Sequence, residues 1–242
     1  MNKIQTAVIL AAGLGSRLKD KTRYMPKGFI EIGGISLIQR SVTKLKAAGI
    51  QNIIIGTGHH SEYYEEFAVN NQGIECKKSE LYESTGSMYT LFNLRELITE
   101  DFLLLESDLL FHSNGLSELI QEDYPDVILA SGKTFSGDEV YIQYNEKALL
   151  ENMSKQISQL SSVDAELVGI TKVSYPTYQN MCEFAESIFA EKPKIDYEYV
   201  LVEMAKNKPI FVKKMEDYIW CEIDDDSHLE RALNSIFPKL DY

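Results

Sequence analysis

The 242-residue sequence predicts one α/β domain: a mostly parallel central sheet covered by helices on both faces. Three observations predict it. The apolar runs are continuous rather than alternating, as strands buried on both faces require. Segments with apolar residues at helical spacing separate those runs through the first half. No linker, internal repeat or low-complexity tract divides the chain.

In order, "TAVILA" reads as a buried strand leading into the glycine loop "GLGSR". "SLIQRSVTKLKAAG" follows as a helix, with Leu37, Ile38, Val42 and Leu45 at helical spacing and Gly49 as its stop. "QNIIIGTG" is a strand, "SEYYEEFAVNN" a helix and "GIECKK" a short strand. "STGSMYTLFNLREL" opens with Ser84 and Thr85, both able to cap, and continues as a helix. "DFLLLESDLLF" reads as a single strand ending in acids, and "DVILASG" as another strand. The second half changes rhythm. "GDEVYIQYNEKALLENMS" predicts a hairpin turning near Asn145, and "ELVGITKVS" a strand. A helix enters through Pro176, and "YEYVLVEMAKN" forms another. "PIFVKKME" and "YIWCEI" are strands, and "SHLERALNSIF" closes as an amphipathic helix that Asp226 or Ser227 could cap.

The composition, 44% hydrophobic and 25% charged, is that of an ordinary globular protein. A net charge of −13 argues against nucleic acid or an anionic membrane as partners. Cys76, Cys182 and Cys221 form no CxxC pair and point to a reducing compartment. The run "AVILAAGLG" after Lys3 is short, and a glycine turn lies where a leader would be cleaved. No apolar stretch approaches the roughly 20 residues that span a bilayer. These features predict a cytoplasmic protein; a homodimer is compatible with them.

Against that acidic background, "VILAAGLGSRLKDKTRYMPKGF" gathers Arg17, Lys19, Lys21, Arg23 and Lys27 around Gly13, Gly15 and Ser16. A strand entering a glycine turn presents backbone N–H groups to an anion, and glycine lets phosphate approach closely. The spacing is neither that of a P-loop nor G-x-G-x-x-G. Two acidic stretches stand out further along. In "LLLESDLLF", Asp108 lies at the carboxyl end of an expected central strand, where open parallel sheets bind ligands, with Glu106 on the same face. In "WCEIDDDSHL", Glu222 and Asp224 alternate onto one face. Standing alone, the first stretch reads as an ordinary acidic strand exit, and capping plus a solvated acidic turn describes Asp225 and Asp226 of the second.

"LAAGLGSRL" followed by "PKGF" resembles the signature of nucleotidyltransferases that join an NTP to a phosphorylated small molecule. The resemblance implies a nucleotide-diphospho-sugar transferase-like, Rossmann-like fold. It implies a nucleotide-binding half over about 1–130 and an acceptor-binding half over about 131–242. It also implies that Leu10, Ala11, Ala12, Gly13, Gly15, Ser16, Arg17 and Lys27 wrap the triphosphate, with Arg17 and Lys27 catalytic. Thr85, Gly86 and Ser87 of "TGSM" would lie over the base, and Asp108 and Asp224 would hold Mg²⁺.

Read together, "KDKTRYMPKGFIEIGG", "IIIGTGHHSEYYEEF", "VILASGKTFSGDEVYI" and "IWCEIDDDSHLE" resemble the 2-aminoethylphosphonate cytidylyltransferases. Phosphocholine cytidylyltransferases are close relatives of that family. A quaternary ammonium favours an aromatic cage, whereas a primary ammonium wants carboxylates or carbonyls. The chain has one Trp, Trp220, and many acids in its second half: Asp138, Glu139, Glu198 and Glu222. Tyr141 stands beside the first two, and Lys155 is a candidate for the phosphonate. Taken singly, each is equally well read as a solvated or packing residue. The expectation is therefore in-line attack of 2-aminoethylphosphonate on the α-phosphorus of CTP. Phosphocholine is the alternative acceptor, and a non-catalytic CTP-binding module a more distant one.

Overall fold

The computed structural model describes residues 4–137 and 139–240; nothing is described of the side chains of residues 19 and 20. The expected site residue Asp138 lies outside the described residues. The chain opens with β1 (Thr6–Ala11), a two-strand ribbon of β2 (Glu31–Ile32) and β3 (Ile35–Ser36), and α1 (Leu37–Ala47). β4 (Asn52–Thr57), α2 (Ser61–Val69), β5 (Ile74–Lys78) and α3 (Ser87–Asn93) follow. Next come β6 (Phe102–Glu106), β7 (Leu109–Phe111), α4 (Asn114–Gln121) and β8 (Val127–Ser131). The hairpin of β9 (Tyr141–Tyr144) and β10 (Leu150–Ser154) leads into β11 (Ala165–Val173). The chain closes with α5 (Tyr175–Ile188), α6 (Tyr197–Ala205), β12 (Phe211–Met215), β13 (Trp220–Glu222) and α7 (Asp226–Arg231).

β5, β4, β1 and β6 run parallel side by side, and β12 runs parallel to β8. β11 runs against β6, β8 and β9 and stitches the two halves together. Residues 165–166 of β11 pair with β9, residues 170–173 pair with β6, and β8 takes the opposite edge. β6 and β9 therefore share one edge of β11, separated by an unpaired stretch through Gly169. That gap opens the sheet at the carboxyl end of β6.

β1 shows why the strands are apolar throughout. Val8 and Leu10 enter the core formed with α3, α5 and α6, while Ala7, Ile9 and Ala11 enter the one formed with α1 and α4. A third, smaller core of Leu18, Ile30, Ile32, Leu110, Cys221 and Ile223 lies beneath the basic loop. No helix among the described residues is long and apolar enough to cross a membrane.

Three sequence expectations are corrected. "DFLLLESDLLF" is two strands, broken at Ser107–Asp108, so Glu106 and Asp108 do not alternate along one strand. The break lets β7 leave the main sheet and pair antiparallel with β13. Ser84 and Thr85 do not cap α3: both hydroxyls donate to the Leu81 carbonyl, and Gly86 occupies the cap position. For α7, the cap is Asp225, whose Oδ1 accepts from His228 N at 2.9 Å, rather than Asp226 or Ser227.

Candidate active site

A cavity of about 280 Å³ lies at the carboxyl ends of β1 and β6. Leu10, Ala11, Ala12 and Gly13 form one wall, Thr85, Gly86 and Ser87 another, and Lys27 and Asp108 also line it. Nine of the thirteen residues expected around the nucleotide or metal thus converge from four separate stretches. Gly15, Ser16 and Arg17 stand outside this lining, in a 3-10 turn that Leu18 anchors in the third core. The turn begins at Gly15, in the left-handed region with φ 64°, and Thr22 Oγ1 donates to the Gly15 carbonyl at 2.7 Å.

The β7–β13 ladder brings the two expected metal-holding acids together. Leu109 pairs with Glu222, and Ile223 N donates to the Asp108 carbonyl at 3.1 Å, so Asp108 and Asp224 flank one position. Lys27, starting a short 3-10 turn after Pro26, extends its ammonium between them. Its Nζ lies 3.2 Å from Asp108 Oδ2 and also donates to Asp224 Oδ1. Arg17 meets the other Asp224 oxygen at 2.8 Å. Burial alone would lower the Lys27 pKa, but the two carboxylates outweigh it and hold the ammonium above its usual value.

Gly86 is fixed by close approach. A Cβ there would stand 2.3 Å from the Ile195 carbonyl and 2.6 Å from that of Lys194. Its N–H donates to the Pro193 carbonyl at 3.0 Å. Ser87 N and Oγ donate to Asp196 Oδ1 at 2.9 and 3.0 Å, and Ser87 Oγ accepts from Tyr197 N at 3.0 Å. The Ser87 hydroxyl therefore latches α3 to the start of α6.

A second, narrow cleft of about 20 Å³ adjoins the first through Glu106, which lines both. Glu139, Glu222, Trp220, Ser136 and Gly169 are among its walls. Glu139 is buried; burial would raise its pKa, but donors led by Gly137 N, with the Tyr141 hydroxyl at 3.1 Å, hold it below the usual carboxylate value. Tyr141 itself is outside the lining. Glu106 accepts from Tyr197 Oη at 2.8 Å; enclosure, then the Asp108 charge, push its carboxyl up to about 7.

Glu198 lies in neither lining but within the fold, where burial and then Asp196 push its pKa up to about 8. Lys155 is exposed just past β10, near enough to oppose the upward shifts of Glu106 and Glu198. Of the remaining basic-loop residues, Lys21 pairs with Asp226, and Arg23 lies 5.3 Å from the Tyr24 ring centroid.

Sequence reasoning missed Tyr82, Thr90, Ser107 and Asp196 in the first cavity. Their contribution depends on loops meeting across the sheet. Only Ser107 carried a signal, being next to Asp108.

Residues 7–134, more than half of the chain, match the family model described as a MobA-like NTP transferase domain. The chain belongs to that family. Choline-phosphate cytidylyltransferase of Haemophilus influenzae is 26% identical over 96% of this chain and 97% of its own. CTP:phosphoglutamine cytidylyltransferase of Campylobacter jejuni is 25% identical over 93% of this chain and 97% of its own. The structure of the inositol-1-phosphate CTP transferase from T. maritima superposes with a TM-score of 0.82 at 17% identity. That match covers 100% of this chain and 99% of the other. It shows the same fold, a single α/β domain, and this NTP transferase carries the expected loop, carboxylates and lysine in one place.

Proposed function

We propose that this NTP transferase is a cytidylyltransferase that converts CTP and 2-aminoethylphosphonate to CMP-2-aminoethylphosphonate and pyrophosphate. The cytidylyl part is supported by relatives named for CTP-dependent transfer along nearly the whole chain. The β1 loop would receive the triphosphate on its backbone, with Arg17 holding the departing phosphates. Lys27 would stabilise charge developing at the α-phosphate. A phosphonate oxygen is anionic near neutral pH, so in-line attack needs no histidine or serine base. Rate acceleration then comes from positioning and charge neutralisation.

The donor set suits Mg²⁺. The Lys27 ammonium reaches both Asp108 and Asp224, so one cation between these carboxylates is sterically compatible with the fold. Mg²⁺ held there would neutralise phosphate charge.

The acceptor choice rests on one observation: the second cleft carries three carboxylates, Glu106, Glu139 and Glu222, and one aromatic side chain, Trp220. That set favours a primary ammonium over a quaternary one. The cleft is narrow, so acceptor entry requires its walls to part. A second reading, phosphocholine as acceptor, is favoured by the names of full-length relatives and by Phe135. This residue is 84% exposed beside the cleft residue Ser136 and able to supply an aromatic face. A pyrophosphate-release screen crossing four NTPs with phosphonates and phosphomonoesters tests both readings. The proposal requires CTP with 2-aminoethylphosphonate to be the best pair. Turnover with another NTP, or a preference for phosphocholine, would reject it. CTP binding without any turnover would favour a non-catalytic module.

A further inference from the structure

His228 is unused by the proposed chemistry. It lies in the first turn of α7, 4% exposed, and its Nδ1 is buried without a hydrogen-bond partner. Its Nε2 stands 3.4 Å from the Ser136 carbonyl, on the wall of the acceptor cleft. An unpartnered buried ring nitrogen is destabilising unless something satisfies it. A ligand nitrogen of this ring, an oxygen of Glu222 and an oxygen of Asp224 all lie within 4.8 Å of one another. Ligands about 2.1 Å from a shared ion stand at most about 4.2 Å apart, so sub-ångström adjustment would bring all three onto one ion.

We propose that Glu222, Asp224 and His228 form a second cation site, distinct from the Asp108–Asp224 pair, for a borderline divalent ion such as Zn²⁺ or Co²⁺. The imidazole decides the class. Mg²⁺ takes oxygen ligands and keeps its waters, whereas an imidazole with two carboxylates suits transition metals. Asp224 can serve both sites: a carboxylate has about four lone-pair positions, and here each oxygen already accepts from a cation, Lys27 on one and Arg17 on the other. Three protein ligands leave further coordination positions for water or a substrate oxygen. Because Glu222 also lines the acceptor cleft, an ion bound here would link that cleft to the Asp224 carboxylate.

The test is Co²⁺ titration of the full-length, nucleotide-free protein, followed by visible ligand-field absorption. One Co²⁺ per chain is expected to bind, to be displaced by Zn²⁺, and to resist a large excess of Mg²⁺. Asp108→Asn should bind it as the unaltered protein does. His228→Ala should lose affinity by about tenfold or more, since losing even an outer supporting partner costs that much. Glu222→Gln, at a less buried position, gives the same readout if the histidine variant fails to fold by circular dichroism. No Co²⁺ binding, binding unchanged in the His228 or Glu222 variant, or binding abolished by Asp108→Asn would each overturn the proposal.

Discussion

Lys27 concentrates the electrostatics of the site, because it contacts both carboxylates and lines the larger of the two adjoining cavities. Lys27→Ala and Asp108→Ala should each lower kcat by about 10²-fold or more with the fold intact, the scale set by removing one preorganised charge-stabilising group. Pyrophosphate release together with circular dichroism measures both effects. Gly86→Ala forces a Cβ against two carbonyls of the Lys194–Ile195 segment. It should destabilise the fold by roughly 1–3 kcal/mol and raise the KM for CTP; urea unfolding and initial rates measure these. Sequence reading reached Lys27 and Gly86 because each sits inside a short, distinctive phrase. It did not reach Asp196, whose contact with Ser87 joins residues 109 positions apart. No local spacing encodes such a pairing.

At the scale of elements, the strand break at Ser107–Asp108 decides where the acids meet. The apolar run on either side hid that break, since a continuous hydrophobic pattern fits one buried strand as well as two. The consequence, β7 pairing with β13, brings Asp224 beside Asp108. The start of α3 has a comparable long-range solution: Asp196 accepts from Ser87 N and Oγ, while Ser84 and Thr85 bond backward to Leu81. Asp196→Ala should therefore destabilise the protein by about 0.5–2 kcal/mol, as loss of a helix cap does. Thermal unfolding with and without CTP would detect it, with the larger loss in the nucleotide's presence. By contrast, β1, β4 and the β9–β10 hairpin lie where the sequence puts them. Their apolar continuity or alternation is set by the faces that they bury.

For the whole molecule, burial of acid shapes pH dependence. The Glu198 carboxyl is raised from 4.5 to about 8 by burial and the Asp196 charge. The native state therefore holds this proton more tightly than the unfolded chain. Its contribution to stability is fully present below about 4.5 and is lost as pH rises towards about 8. The slope is at most about 1.4 kcal/mol per pH unit. Glu198→Gln should flatten that decline, matching the parent near the acidic end and exceeding it at the alkaline end; urea unfolding across this range would show it.

The molecule as a whole is an acidic protein with a local cationic loop, and in the proposed reaction the loop takes the triphosphate while the acids take metal and amine. ³¹P NMR of the protein with CTP and either 2-aminoethylphosphonate or phosphocholine tests this most directly. The proposed reaction yields a new phosphonate–phosphate anhydride and pyrophosphate, with kcat/KM for 2-aminoethylphosphonate at least about tenfold higher, a difference of about 1.4 kcal/mol. Unchanged CTP with both acceptors, or faster conversion of phosphocholine, would contradict it.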